Sequence, residues 1–149
     1  MNNKDISNVK IMQKRLVTNI EYVKTKSIYP HENVLKDRLD GMIGYIKSLY
    51  PYVVLPTILV CEETNVIIDG HHRYYALKAL NIETAPISRI KYQNNKIITT
   101  IGKNTIKKEK VIESGLKNIL LKPKSTSHHI IIFEDLFPII LLSELAIVK

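Results

Sequence analysis

Val66-Ile67-Ile68-Asp69-Gly70-His71-His72-Arg73-Tyr74-Tyr75-Ala76-Leu77-Lys78-Ala79-Leu80 is the stretch that decides the fold class. Three β-branched apolar residues in succession predict a short buried strand, and Asp69-Gly70 is a turn pair that ends it. From His71 the period becomes helical, with Tyr74, Ala76, Leu77 and Leu80 at inward positions and Asn81 placed to close the helix in a left-handed cap. Strand, glycine turn, helix is a building unit of an α/β fold. The turn also carries the densest polar cluster of the chain. Where a helix starts, unpaired N–H groups and the positive dipole end face outward and attract anions, and Gly70 lets a ligand approach the backbone closely. Arg73 offers a planar fork for phosphate or carboxylate oxygens, and Asp69 beside His71 and His72 can bind a divalent cation or titrate near neutrality. A capping Asp next to a surface His pair is the structural alternative for the same residues.

Working outward, a helix is expected near Val9 to Ile20 and a strand near Glu21 to Val23. Pro30-His31-Glu32-Asn33 is a turn. Val34, Leu35, Leu39, Met42, Ile43, Ile46 and Leu49 then recur at helical spacing, with Asn33 a candidate cap. Val53 to Val60 reads as a strand interrupted or started at Pro56, and Glu62-Glu63-Thr64-Asn65 as the turn before Val66. Ala85 to Tyr92 and Lys96 to Ile101 read as a hairpin through Gln93-Asn94-Asn95. Thr105 is placed to cap a helix from Ile106 to about Leu116, Ile130 to Phe133 is a short strand, and Pro138 to Val148 is a terminal strand or apolar tail. No internal repeat appears at a solenoid period.

The chain has 149 residues, enough for one domain that buries roughly 68–70% of its unfolded surface. With 45% apolar and 24% charged residues, five glycines and six prolines, collagen-like and disordered classes are excluded. A lone Cys61 excludes a disulfide framework, fits a reducing cytoplasm, and leaves His, Asp and Glu as metal ligands. The start Met1-Asn2-Asn3-Lys4-Asp5 has no apolar core of a signal peptide, and Pro138 to Leu142, the longest apolar run, is far short of the ~20 residues a membrane helix needs. The net charge of +8 makes the surface attractive to anions. The basic residues are mostly Lys, without the Arg-rich or aromatic-interleaved clusters that read bases, so nucleic acid is not the expected partner.

Two further segments carry candidate chemistry. Glu32, fixed by the proline turn, can take a proton from a hydroxyl, although an acidic residue at a helix start also serves the helix dipole. Lys124-Ser125-Thr126-Ser127-His128 offers small hydroxyls, turn N–H groups and a cation, as in an anion nest, without the glycines of a Walker loop.

Val66 to Leu80, with its G-x-x-R-x-x-A core, resembles the strand-to-helix signature of the ParB/sulfiredoxin superfamily, and the D-G-H-H-R form is similar to the free L-serine kinases. Pro30-His31-Glu32 ahead of an amphipathic helix, and a helix followed by Pro123-Lys124-Ser125-Thr126, resemble that kinase family in order and content. The likeness covers about Ile20 to His129. It implies an α/β fold with a small mixed sheet flanked by helices, forming one domain over residues 1–149. Residues 1–19 would be an extension, and residues 105–149 the last helix, the phosphate loop and a tail.

The resemblance implies phosphoryl transfer from a nucleotide, ATP favoured and ADP possible, with Mg²⁺, to the hydroxyl of free L-serine in the cytoplasm, the phosphoserine feeding cysteine synthesis. Glu32 would be the base, and Asp69 would orient the hydroxyl or Mg²⁺. His71, His72 and Arg73 would contact phosphate and substrate. Gly70, Lys124, Ser125, Thr126 and Ser127 would lie along the nucleotide, with His128 closing the loop. Two features depart from the family pattern: Ser127 stands where an arginine is expected, and only Gly102 to Asn104 bridges the hairpin and the last helix. The alternatives are a ParB-like nucleotide- or DNA-binding module, or a nuclease using Asp69, Glu32 and the histidines. A sulfiredoxin would need a thiolate in the signature loop, where His71 and His72 stand.

Overall fold

The computed structural model describes residues 1–99 and 105–149. The short bridge at Gly102 to Asn104 and the end of the strand expected to reach Ile101 lie outside the described residues.

The centre is a four-stranded sheet in the order β1 (Glu21–Lys24), β5 (Thr84–Ile90), β3 (Ile58–Cys61), β4 (Ile67–Asp69). β3 runs parallel to β5, with Ile58 opposite Ile87 and Cys61 opposite Ile90, while β1 and β4 pair antiparallel on the outside. The sheet is therefore mixed, with the helix α3 (His71–Ala79) lying between β4 and β5 in the chain.

Side chains on a strand alternate between faces, and both faces of this sheet are covered. Ile58, Val60, Ile67, Ala85 and Ile87 pack with α3 and with α2 (Lys36–Leu49) in one core. Leu59, Cys61, Ile68 and Ile90 face the other core, with α1 (Asn3–Leu16) and α4 (Lys108–Leu116). That second core also takes Ile97 of β6 (Ile97–Thr99) and Ile130 and Ile132 of β7 (His128–Ile132). β7 pairs with β6 and with β8 (Asp135–Pro138) in a separate antiparallel sheet. A 3₁₀ turn at Ile139–Leu142 then leads to β9 (Leu145–Ile147), which pairs with β2 (Val54–Pro56). Among the described residues, no helix is long and apolar enough to cross a membrane.

Several expected elements are corrected. The first helix starts at Asn3, because the Asn2 side chain accepts from Asp5 N at 2.8 Å while Asp5 accepts from Asn2 N. It stops at Leu16, since Val17 bridges to Ile90 and Thr18 N donates to Arg89 O. Asn33 does not cap α2: its N–H donates to Leu121 O, and Leu35 occupies the cap position. Nor does Thr105 cap α4, which starts after Lys107. Among the described residues, 85–92 and 96–99 do not pair as a hairpin. Both edges of β5 are already taken, by β1 and β3, so β6 pairs with β7 instead. The Val53 to Val60 run divides at Thr57, its halves joining different sheets, and the terminal apolar segment is part of β8, the 3₁₀ turn and β9 rather than one strand.

The division at Thr57 is held by polar groups. Thr57 Oγ1 accepts from Ser88 Oγ and from Glu144 N, and its carbonyl accepts from Ser143 Oγ and Arg73 Nη1. Arg73 Nη1 also donates to Pro56 O at 2.9 Å, and Nη2 to Asp69 Oδ2 at 2.9 Å. The buried guanidinium thus ties α3 to the β2–β3 junction and to the end of β4.

Gly70 has φ +108°, and a Cβ added there would lie 2.8 Å from Arg73 Nη2, so the turn needs glycine both for its backbone and for its neighbour. Gly70→Ala is expected to cost about 1–3 kcal/mol in denaturant unfolding. Arg73→Leu removes the donor to the Pro56 carbonyl and to the Asp69 carboxylate, while Thr57 O keeps Ser143 Oγ, and should cost about 3–5 kcal/mol, measured in the same way.

Candidate active site

The end of β4, the start of α3, the segment before α2 and the loop before β7 enclose a cleft of about 410 Å³. Its lining includes Glu32, Asp69, Gly70, His71, His72, Arg73, Lys124, Thr126, Ser127 and His128. Ser125 does not line it; its hydroxyl donates to Lys122 O. Met42 of α2 and Pro138, Ile139 and Ile140 close the cleft with apolar surface.

Glu32 docks the loop. Its Oε1 accepts from Lys124 N at 2.9 Å, and its Oε2 accepts from Thr126 N at 3.1 Å and from the Thr126 hydroxyl. The flanking backbone reinforces this: Leu121 N donates to His31 O and Asn33 N donates to Leu121 O. The N–H groups expected to cradle a donor phosphate are thus already engaged by a carboxylate of the same chain. Lys124, at φ +62°, is carried at the bend of this loop.

Behind Glu32 is a cluster of histidines. His31 is fully buried, with Nδ1 2.6 Å from Ile67 O and Nε2 2.9 Å from Thr126 Oγ1. Its own N–H donates to His71 Nε2 at 3.1 Å, and the two rings meet edge to face at 4.4 Å between centroids. His128 Nε2 lies 2.8 Å from the Tyr92 hydroxyl. Burial pushes His31 down to about 4, against a smaller opposing pull from Ile67 O, and pushes His128 down to about 3. Burial, then the charge of His31, sets His71 well below the usual histidine range, and burial followed by Lys124 lowers His72. These rings are neutral at pH 7. A neutral His71 that accepts at Nε2 carries its proton on Nδ1 and is a hydrogen-bond donor there. His72 Nε2 is buried without a partner.

Arg73 is redirected relative to the sequence reading. Three of its N–H bonds go to Pro56, Thr57 and Asp69, so it holds the turn together rather than presenting a free fork to an anion. Lys124 is then the cation that the loop brings to the cleft. Among the described residues, no group of three or more His, Cys, Asp or Glu side chains is placed to hold a metal. Two carboxylates line the cleft, Glu32 held by the loop and Asp69 held through one oxygen by Arg73, so Asp69 would be the one to supply Mg²⁺, an ion that takes one or two carboxylates and fills its shell with phosphate and water.

Three participants were missed as site residues. His31 stands inside the Pro30-His31-Glu32 motif and becomes visible only once Thr126 is seen against it. Tyr92 and Lys108 support His128 from behind: Lys108 Nζ donates to Tyr92 O at 2.7 Å and to Asn94 O at 2.9 Å, and Tyr92 reaches the ring. No local signal marked either residue.

No family model matches the chain. Over 81 residues it is 32% identical to a ParB-like protein of Sulfolobus acidocaldarius, a match covering 52% of this chain and only 38% of that protein. A solved free serine kinase in complex with AMP overlaps at a TM-score of 0.49 with 20% identity, over 55% of this chain and 35% of that one. A conserved hypothetical protein from Pyrococcus furiosus overlaps at 0.49 with 20% identity, over 56% and 37%. The mixed sheet flanked by helices, with the sequence likeness to a ParB-like protein, gives the chain a ParB/sulfiredoxin-like α/β fold.

Proposed function

We propose that the cleft transfers a phosphoryl group from ATP, with ADP as the alternative donor, to the hydroxyl of free L-serine, giving O-phospho-L-serine. The observation that carries this reading is the convergence of Glu32, the Asp69 to Arg73 turn and the Lys124 to His128 loop on one cleft. These segments come from distant parts of the chain, and together they supply what phosphoryl transfer needs: a base, anion donors and a cation. The reaction is assigned to the cytoplasm, with the product feeding cysteine synthesis.

A carboxylate has about four lone-pair positions, and the loop uses three on Glu32, which leaves one for the acceptor hydroxyl. Glu32 takes the hydroxyl proton as the oxygen attacks phosphorus. The donor His71 Nδ1–H and the start of α3 at Gly70 face the transferring group, His72 Nε2 awaits a polar partner, and Lys124 neutralises donor phosphate. Ser127, which also lines the cleft, is assigned to the donor. Arg73 positions Asp69, which would hold Mg²⁺, an ion that would supply charge neutralisation to the phosphates.

A second reading is supported by the ParB-like relative and the net charge of +8: a nucleotide- or DNA-binding module without kinase activity. Steeply salt-dependent DNA binding with no phosphoserine formed would favour it.

The direct test incubates the protein with L-serine, Mg²⁺ and ATP, ADP or CTP, and looks for phosphoserine by mass spectrometry. Product with ATP or ADP is expected; none with any donor would overturn the reading. Glu32→Gln should lower kcat by about 10²-fold or more and also raise the nucleotide KM, because an amide NH₂ replaces one of the oxygens that dock the loop. A rate near wild type would remove Glu32 from the reaction. Lys124→Ala should raise the donor KM by about tenfold with a smaller effect on kcat in steady-state kinetics.

A further inference from the structure

Ile67 O, His31, Thr126 and Glu32 form an unbroken chain of polar contacts. Ile67 O faces His31 Nδ1, His31 Nε2 faces Thr126 Oγ1, and Thr126 Oγ1 faces Glu32 Oε2. Each contact needs one hydrogen. The threonine hydroxyl supplies one and a neutral imidazole supplies one, so the three contacts are one hydrogen short. If His31 carries its proton on Nδ1, nothing lies between Nε2 and an oxygen that is donating to Glu32. If the proton is on Nε2, the Nδ1 lone pair faces a carbonyl lone pair at 2.6 Å. One added proton completes the chain in two ways. Either Glu32 is a carboxylic acid donating to Thr126, whose hydroxyl turns to His31, or Glu32 is a carboxylate and His31 an imidazolium donating at both nitrogens. The two forms interconvert when the proton on Glu32 moves to Thr126 Oγ1 as the threonine proton moves to His31 Nε2.

We infer that Glu32, Thr126 and His31 act as a relay preorganised for one extra proton, the one that leaves the acceptor hydroxyl during phosphoryl transfer. This rests on the kinase reading. The balance is complete: the serine oxygen forms a bond to phosphorus, the bond from phosphorus to the bridging oxygen breaks with its electron pair on the departing nucleotide, and the serine proton enters the relay at Glu32. A base whose hydrogen bonds are fulfilled only after it has received the proton stabilises the transition state more than the ground state. Thr126 and His31 are positioning residues here, since neither reaches the acceptor except through Glu32. Burial pushes His31 well below the usual histidine range, so the imidazole alone does not retain the proton. Among the described residues, the other titratable or charged groups around the relay include His71 and His72 of α3, His128 of β7, Lys124 of the loop, and Asp69 and Arg73 at the turn.

The test is an NMR acid titration of His31 Nε2 and the Glu32 side-chain carboxyl carbon in the full chain, with kinetics alongside. Groups sharing one proton titrate together, so the wild type should show a common midpoint at both nuclei. Thr126→Val should split it into two, and Thr126→Ser should restore it. The kcat of Thr126→Val should fall on the order of 10- to 100-fold and the acid limb of its pH profile should move, while KM for serine stays within about threefold and Thr126→Ser recovers most of the rate. Separate midpoints in the wild type, or an unchanged common midpoint in Thr126→Val, would overturn the relay. A common midpoint in a protein that forms no phosphoserine would overturn the kinase reading while supporting the shared proton.

Discussion

The grip of the Glu32 carboxylate on the backbone of Lys124 and Thr126 is the interaction on which the site depends. It joins segments more than ninety positions apart, one leading into α2 and the other into β7, and without it the cleft has no third wall. Hydrogen bonds to a charged group are worth more than neutral ones, and a buried carboxylate left without them is costly. The contact therefore holds in one geometry, and that geometry places the Glu32 carboxylate against the loop that carries Lys124. Structure and chemistry are not separable at this residue.

The rest of the fold presents the second wall. β3 is buried on both sides, so Ile58 and Val60 are committed to the core of α2 and α3, and Leu59 and Cys61 to the core of α1 and α4. β4 on its edge ends at Asp69, where Gly70 turns the chain into α3. Arg73, one turn into that helix, reaches back to the Pro56 and Thr57 carbonyls and to Asp69. The Asp69 to His72 segment is thus fixed by the core beneath it and by a buried guanidinium beside it. Ordering it before a ligand arrives reduces the entropy cost of binding.

What could be read from the sequence was local. Val66 to Asn81 announces strand, turn and helix because burial period, a glycine and a left-handed Asn81 all agree within sixteen positions. The three segments that meet in the cleft were legible for the same reason. Pairing was not, because partner choice is a property of distant segments: nothing in residues 85–101 says that β5 already has two neighbours, and nothing in Val53 to Val60 says that its first half belongs with residues 145–147. The start of α1 is a different case, since Asn2 and Asp5 stand at capping-box spacing while the apolar period begins only later. Its place at a helix start gives Arg73 the look of an anion fork. Carbonyls left outside the ladders at Pro56 and Thr57 claimed it. His31 gained its meaning only from Thr126, far along the chain.

The central claim is that one cleft brings an acceptor hydroxyl to Glu32 and a nucleotide to Lys124 and the start of α3. A crystal structure with L-serine and a non-hydrolysable ATP analogue tests it most directly. The account predicts terminal phosphates between Gly70, His71 and Lys124, with the serine hydroxyl within hydrogen-bond reach of Glu32. A nucleotide bound outside this cleft, or a serine hydroxyl directed away from Glu32, would contradict it.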